Sequence, residues 1–233
     1  MRQPVLKRIE DQVIVITGAS SGIGLVTARL AAARGAAVVL AARSADGLWQ
    51  AAEAIRARGG EVASVVADVA SELIHDRAPV SVTLIKPTGI DTPYAHHAQN
   101  YLPMQPKNPA PLYAPEVVAR AILHAAQHPV RELTVGGSGR MLEALDRWLP
   151  GLTDRVMARV LPSSQQSRTP AGERGPAGLY AASGEARERS GDASFVRERS
   201  AYTAAARHPF VALGIVVAAG AGLALLARNA PRR

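Results

Sequence analysis

A glycine-rich turn near the N-terminus carries the residues whose types and spacing could do chemistry. Residues 13–16 are β-branched and predict a strand, and the alanine-rich residues 25–34 predict a helix. Between the two stand Thr17, Gly18, Ser20, Ser21, Gly22, Ile23 and Gly24. In such a unit the glycines permit a tight turn and close backbone approach, and the helix N-terminus offers N–H groups to a diphosphate. The pattern therefore predicts a dinucleotide-binding turn.

The spacing of these glycines is specific. It reads T-G-x-x-x-G-x-G, which differs from the G-x-G-x-x-G of the common dinucleotide fingerprint. The string over 17–24 resembles the short-chain dehydrogenase/reductase family, whose members are NAD(P)-dependent oxidoreductases on a Rossmann fold. The resemblance implies an α/β fold with a doubly wound parallel sheet. A glycine turn that holds no ligand is the structural alternative.

Three further residues predict contacts to the adenosine half of the cofactor. Arg43 follows the second predicted strand, where an acidic residue holds the ribose 2′-OH and an arginine accommodates a 2′-phosphate. Arg43 therefore favours NADP over NAD, and a solvated arginine at a strand end is the alternative. A third predicted strand leads to Asp68 and Val69, and the resemblance implies that this pair contacts the adenine ring.

The family pattern breaks after residue 69. The resemblance implies a strand that ends in Asn-Asn-Ala-Gly, a strand with the catalytic serine, and a helix with Tyr-x-x-x-Lys, and none of these follows. The lysines are Lys7, Lys86 and Lys107, and none has a tyrosine four positions before it. Because the phenol transfers the proton while hydride moves, and the lysine lowers the pKa of that phenol, we predict no catalytic residue.

The resemblance resumes after this gap. Residues 80–85 resemble the family's sixth strand, and Pro87, Ile90 and Thr92 match its P-G-x-I-x-T stretch, which binds the nicotinamide carboxamide. Thr88 stands where that stretch has glycine. The proline-rich residues 103–115 are implied to cover the substrate, although a surface loop or a ligand for a proline-recognition domain would read the same way.

Two smaller patterns lead to no predicted site. His124 and His128 are four residues apart, but no third ligand is predicted near them, so no metal site is predicted. Glycines over 136–139 resemble a phosphate cradle, but they follow the last predicted strand and are better explained as a turn.

Composition limits the classes of partner. The 233 residues fit one α/β domain, and the absence of cysteine excludes disulfides and thiolate metal sites. The net charge of +8 favours an anionic partner. No aromatic residues interleave with the basic ones, so we predict membrane lipid as the partner and no nucleic acid.

The C-terminal part predicts a membrane attachment. We predict a Rossmann-like domain over 1–137, amphipathic helices over 138–162, a disordered linker over 163–208 and a transmembrane helix over 209–228. Residues 210–227 are uncharged and apolar, which satisfies the length of a short spanning helix, with a buried helix as the alternative. Since the N-terminus lacks a signal peptide, the prediction is a tail-anchored protein with a cytoplasmic domain.

Three functional hypotheses follow. The first is an NADP-dependent oxidoreductase for alcohol or carbonyl substrates of lipophilic type, truncated internally and inactive. The second is a non-catalytic nucleotide-binding or interaction module, and the third is a gene deletion or assembly error without a selected function. A homo-oligomer, formed through the sheet or the apolar helix, is a further hypothesis. For the sheet we predict the order 3-2-1-6-7, with helices on both faces and residues 80–85 beside the first strand.

Overall fold

The computed structural model describes residues 6–67, 83–98, 100–101, 103–128, 130–171, 186–214 and 217–218. After a short 3-10 helix, Ile9–Asp11, its first half contains β1 (Val13–Thr17), α1 (Gly22–Ala32), β2 (Ala37–Ala42), α2 (Ala45–Arg56) and β3 (Val62–Val66). The second half contains β4 (Leu84–Pro87), α3 (Tyr94–His97), β5 (Met104–Pro106), α4 (Pro115–Ala125) and β6 (Glu132–Val135). The C-terminal part contains α5 (Gly137–Trp148), α6 (Pro150–Ser164), β7 (Gln166–Pro170) and α7 (Ala201–Arg207).

The first three strands form the predicted parallel sheet. Its order is β1-β2-β3, with Ile14 opposite Val38 and Val38 opposite Val62. The strands form where β-branched residues cluster, and each β-α-β unit is long enough for a parallel crossover. This part of the Rossmann-like α/β fold is confirmed.

Helices cover only one face of this sheet. Ile16 and Leu40 on that face pack with Leu25 of α1 and Leu48 of α2 in one buried cluster. On the opposite face the side chains stay exposed, at 71% for Val13, 64% for Val15 and 49% for Val65. The prediction of helices on both faces is therefore wrong for the described residues, because α1 and α2, the helices of the two right-handed crossovers, pack on the same face.

A second, two-stranded sheet forms the other half of the domain. β4 pairs with β6 in parallel, with Ile85 opposite Leu133, but among the described residues, which begin at 83 in this stretch, β4 does not pair with β1. The predicted neighbours 6 and 7 are thus correct, and the continuous order 3-2-1-6-7 is wrong. The two halves are joined instead by α4, which packs on α1 and contributes to both buried clusters.

The C-terminal part differs from the predicted linker and anchor. Within the predicted linker, β7 pairs antiparallel with β5, and residues 186–200 and α7 pack on the domain. None of the helices in the described part of the chain combines the length and the apolar character that crossing a bilayer requires. This finding corrects the prediction of a tail-anchored membrane protein. Residues 215–216 and 219–228 of the predicted spanning helix lie outside the described residues.

Candidate functional site

The glycine turn has the geometry that its residue types require. Gly18 and Gly22 have φ values of +66° and +53°, a region that side chains other than glycine rarely occupy. A Cβ atom on Gly24 would lie 2.4 Å from the carbonyl oxygen of Gly18, so only glycine lets α1 pack this close to the turn. Helix α1 begins at Gly22, and its N-terminus faces out of the turn with no side-chain cap from Ser21. These features form a compact strand–turn–helix unit.

Arg43 lies at the same end of the sheet as this turn. The amide of Ala19 donates to the carbonyl of Ala41 across 3.3 Å, which fixes the turn beside the end of β2. Ser20 packs against Gly47 in the first turn of α2, and Ser44 caps that helix by accepting a 3.1 Å hydrogen bond from the Gly47 amide. Arg43 directly precedes this cap and is exposed. The structure therefore places Arg43, an exposed residue, at the end of β2 beside the glycine turn.

Of the three predicted residues of the P-G-x-I-x-T stretch, only Thr92 lies beside the glycine turn. A Cβ atom on Gly22 would lie 3.5 Å from the side chain of Thr92, so Thr92 adjoins the turn. Ile90 is buried instead in the second cluster, beside Tyr113, and Pro87 is at the end of β4 opposite Val135. Asp68 and Val69, the predicted adenine contacts, lie outside the described residues.

Residues 186–200, which we call the strap, run across the mouth of the glycine turn. The amide of Gly22 donates a 2.8 Å hydrogen bond to the carbonyl oxygen of Arg187. Ser190 donates from both its amide, at 3.2 Å, and its hydroxyl to the carboxylate of Asp91, which neighbours Thr92. Asp91 and Ser190 are both buried. The strap thus contacts the two stretches that the sequence predicts to bind cofactor.

An ionic network holds the strap against the helices on either side. Arg29 of α1 pairs with Glu188 at 3.1 Å, and Glu116 of α4 pairs with Arg189 at 3.0 Å. Arg189 also pairs with Glu198 at 2.7 Å. Hydrogen bonds to Glu198 and then to Glu116 raise the pKa of the Arg189 guanidinium. The hydrogen bond from Arg189 lowers the pKa of the Glu198 carboxyl.

A cavity of about 760 Å³ lies beside the strap. The proline-rich residues 105–112 form one wall, and β7 and the strap contribute Ser167, Ser190 and Arg197 to the others. The pairing of β5 with β7 holds this wall in place. The loop that the resemblance implies to cover the substrate therefore lines a cavity rather than lying flat on the surface.

The glycines over 136–139 lie at the start of a helix. The amide of Gly136 donates to Thr203 at 3.1 Å, and the amide of Gly137 donates to the Tyr113 hydroxyl at 3.2 Å. Since α5 begins at Gly137, the interpretation as a turn holds only at Gly136, which precedes the helix with a φ of +102°.

The strap is the part of the site that sequence reasoning missed. It has no apolar periodicity, so its composition predicts a linker. The available signal is the alternation of charge over Glu188 and Arg189, which complements Arg29 and Glu116. Sequence alone does not tell which distant charges such a segment meets.

Comparisons with known proteins agree with the geometry of the turn. A family model described as short chain dehydrogenase matches residues 12–78. The uncharacterised oxidoreductase YxnA of Bacillus subtilis is 30% identical over 318 aligned positions, which include 91% of this chain and 89% of that protein. Because 91% of the 233 residues is about 212, roughly a hundred positions of YxnA have no counterpart in this chain.

Other similarities are confined to a shorter part of the chain. An uncharacterised oxidoreductase of Listeria monocytogenes is 49% identical over 61 residues, which are 26% of this chain and 25% of that protein. A metagenomic short-chain oxidoreductase solved in complex with NADP is 47% identical, with 24% of this chain and 26% of that chain covered and a TM-score of 0.24. The chain thus spans about a quarter of the length of these two proteins.

The alignment with YxnA spans 91% of this chain and 89% of that protein, and the family model covers the strand, the glycine turn and the first helices. This chain therefore belongs to the short-chain dehydrogenase family of oxidoreductases.

Proposed function

We propose that the chain binds NADP weakly at the glycine turn and turns it over only at a background rate. The proposal rests on the hydrogen bond of the Gly22 amide. This amide is not used inside the turn and donates at 2.8 Å to the carbonyl oxygen of Arg187, far away in the sequence. A diphosphate oxygen is the acceptor for which such a helix N-terminus is suited. Arg43, exposed at the same end of the sheet, supplies positive charge for a 2′-phosphate. Asp68 and Val69 remain proposed contacts to the adenine ring.

The nicotinamide half of the site supports only weak binding. Thr92 adjoins the turn, but Ile90 is buried in the second cluster and β4 does not reach β1. We therefore assign most of the affinity to the phosphates and the adenosine. Adenosine 2′,5′-bisphosphate is expected to bind almost as well as NADP in calorimetry.

The absence of a positioned acid supports the background rate. No tyrosine of the chain has a lysine four positions after it. The buried Tyr113 hydroxyl accepts from the Gly137 amide, and Tyr94 is 73% exposed. Loss of a positioned acid–base group lowers turnover by about 10²–10⁴-fold. An active oxidoreductase would therefore need a proton donor other than a Tyr-x-x-x-Lys pair.

The test separates binding from turnover. Calorimetry measures NADP and NAD binding, and absorbance measures NADPH oxidation with a panel of lipophilic aldehydes and ketones. We expect binding of NADP, loss of that binding in Gly22→Trp, and oxidation no faster than in a protein-free control. Robust oxidation that Gly22→Trp abolishes would show an active enzyme, and absence of any nucleotide binding would remove the proposal.

A further inference from the structure

We infer that the strap occupies the diphosphate position of the glycine turn, so that NADP binds only after the strap leaves it. This inference rests on the proposed NADP binding and adds its regulation. It assigns to residues 186–200 the role of an autoinhibitory segment, built into the same chain as the site that it closes.

The first step concerns the Gly22 amide. A phosphate oxygen that accepts from this amide must lie about 2.9 Å from the nitrogen, where the Arg187 carbonyl oxygen now lies at 2.8 Å. Both oxygens carry partial negative charge and neither has a hydrogen to donate to the other. The carbonyl and the diphosphate therefore exclude each other at the N-terminus of α1.

The second step concerns the anchors of the strap. Glu188 is held by Arg29 on α1, Ser190 by Asp91 next to Thr92, and Arg189 by Glu116 on α4. The three anchoring residues directly follow Arg187 in sequence and hold the backbone beside the turn. At its C-terminal end the strap pairs with the chain at Leu112, where the Arg197 amide donates to the carbonyl at 2.9 Å.

The third step concerns how readily the strap can leave. Its contacts over 187–192 are hydrogen bonds and ion pairs, and Arg187, Gly191 and Asp192 are exposed. Partly exposed ion pairs contribute little to stability, and segments with few apolar contacts open with small free energies. Opening also returns the buried Asp91 carboxylate to water. If only a minority of molecules have the strap open, the apparent affinity for NADP equals the affinity of the open state multiplied by the fraction of open molecules.

A purely structural strap makes a different prediction. The strap also bridges α1 and α4, which join the two halves of the domain. If it served only to hold these helices, weakening it would lower the melting temperature and leave the affinity for NADP unchanged or reduced. An autoinhibitory strap requires the affinity to rise.

The experiment weakens two anchors in the full-length chain. The double variant Glu188→Ala, Ser190→Ala leaves the glycine turn and Arg43 intact, and Glu53→Ala, which removes an exposed ion pair with Arg56, is the matched control. Calorimetry with NADP is expected to show about tenfold tighter binding to the double variant and no change in the control. Adenosine 2′-phosphate, which carries no diphosphate, is expected to bind all three proteins equally.

Limited trypsin digestion gives an independent measurement on the unaltered chain. Arg187 and Arg189 are cleavage sites within the strap, and the ion pairs of Arg189 shield it in the closed state. If NADP displaces the strap, saturating NADP is expected to accelerate cleavage after both arginines. Protection by NADP would overturn the inference.

The outcomes separate the inference from the proposed function. Equal NADP affinity of the unaltered chain and the double variant overturns the autoinhibitory strap and leaves NADP binding in place. A gain for adenosine 2′-phosphate as large as that for NADP also overturns it, because the diphosphate position would not be what the strap blocks. If neither protein binds either nucleotide, the proposed function fails and the inference fails with it.

Discussion

The amide of Gly22 donates to the carbonyl oxygen of Arg187 across 2.8 Å, although the two residues are 165 positions apart in the sequence. This hydrogen bond satisfies one of the N–H groups that a helix N-terminus leaves without an intrahelical partner. The strap thus provides the acceptor for an amide of the glycine turn. Under the inference above, a ligand of the turn and the strap compete for this amide.

Close packing at Gly24 predicts a large effect of one methyl group. Gly24→Ala places a Cβ atom 2.4 Å from the Gly18 carbonyl oxygen, so the turn must shift and the free energy of unfolding should fall by about 1–3 kcal/mol. Gly151→Ala, on α6 with open space around the position, should be neutral or stabilising. Urea denaturation of both variants measures the difference. Equal stability of the two variants would contradict the close contact.

Arg43 predicts the choice between the two nicotinamide cofactors. Hydrogen bonds to charged groups contribute about 1.5–3 kcal/mol, so Arg43→Ala should weaken NADP binding by about ten- to a hundredfold and leave NAD binding unchanged. Arg58→Ala removes another exposed arginine beyond the far end of α2 and is the matched control. Calorimetry with both cofactors measures the ratio. If Arg43→Ala weakens NADP and NAD equally, the arginine does not read the 2′-phosphate.

A valine-to-threonine substitution should affect stability differently on the two faces of the first sheet, because helices cover only one of them in the described residues. Val38 is 1% exposed on the covered face, and Val15 is 64% exposed on the other. Val38→Thr buries a hydroxyl without a partner and should cost about 1–3 kcal/mol. Val15→Thr keeps the β-branched shape in a solvated position and should stay within about 0.5 kcal/mol. Matched chemical denaturation curves test this, and a comparable loss in both variants would show that another part of the protein covers Val15 in solution.

His124 predicts a loss of stability in weak acid. Burial lowers its pKa from 6.5 to about 4, and the nearby positive charges of His128, Arg207 and His208 act in the same direction. The folded protein therefore binds this proton more weakly than the unfolded chain does. The contribution of neutral His124 to stability is fully present above pH 6.5 and falls as the pH drops toward 4.

Thermal denaturation between pH 7.5 and 5 measures this contribution. The melting temperature of the unaltered chain should fall over this range more steeply than that of His124→Gln, which carries no titratable group at this position. The carboxylates titrate in both proteins, so the difference between the two slopes isolates His124. Parallel slopes would mean that the ring is solvated and titrates normally.

Local patterns accounted for the elements of the first half and for the position of its turn. The β-branched run, the glycine spacing and the alanine-rich helix predict β1, the turn and α1, because strand, turn and helix propensities act over a few residues. The parallel order β3-β2-β1 follows from the same pattern. The missing Tyr-x-x-x-Lys is likewise a property of the sequence alone.

Only the tertiary structure decided how the second half of the chain packs against the first. The sequence predicted β4 beside β1, a disordered linker and a spanning helix, whereas α4 joins two separate sheets and the strap packs over the glycine turn. These arrangements depend on contacts between residues far apart in the chain, such as Asp91 with Ser190 and Arg29 with Glu188. Polar contacts of this kind leave no periodic signal in sequence, because their partners are chosen by the three-dimensional packing of helices and strands.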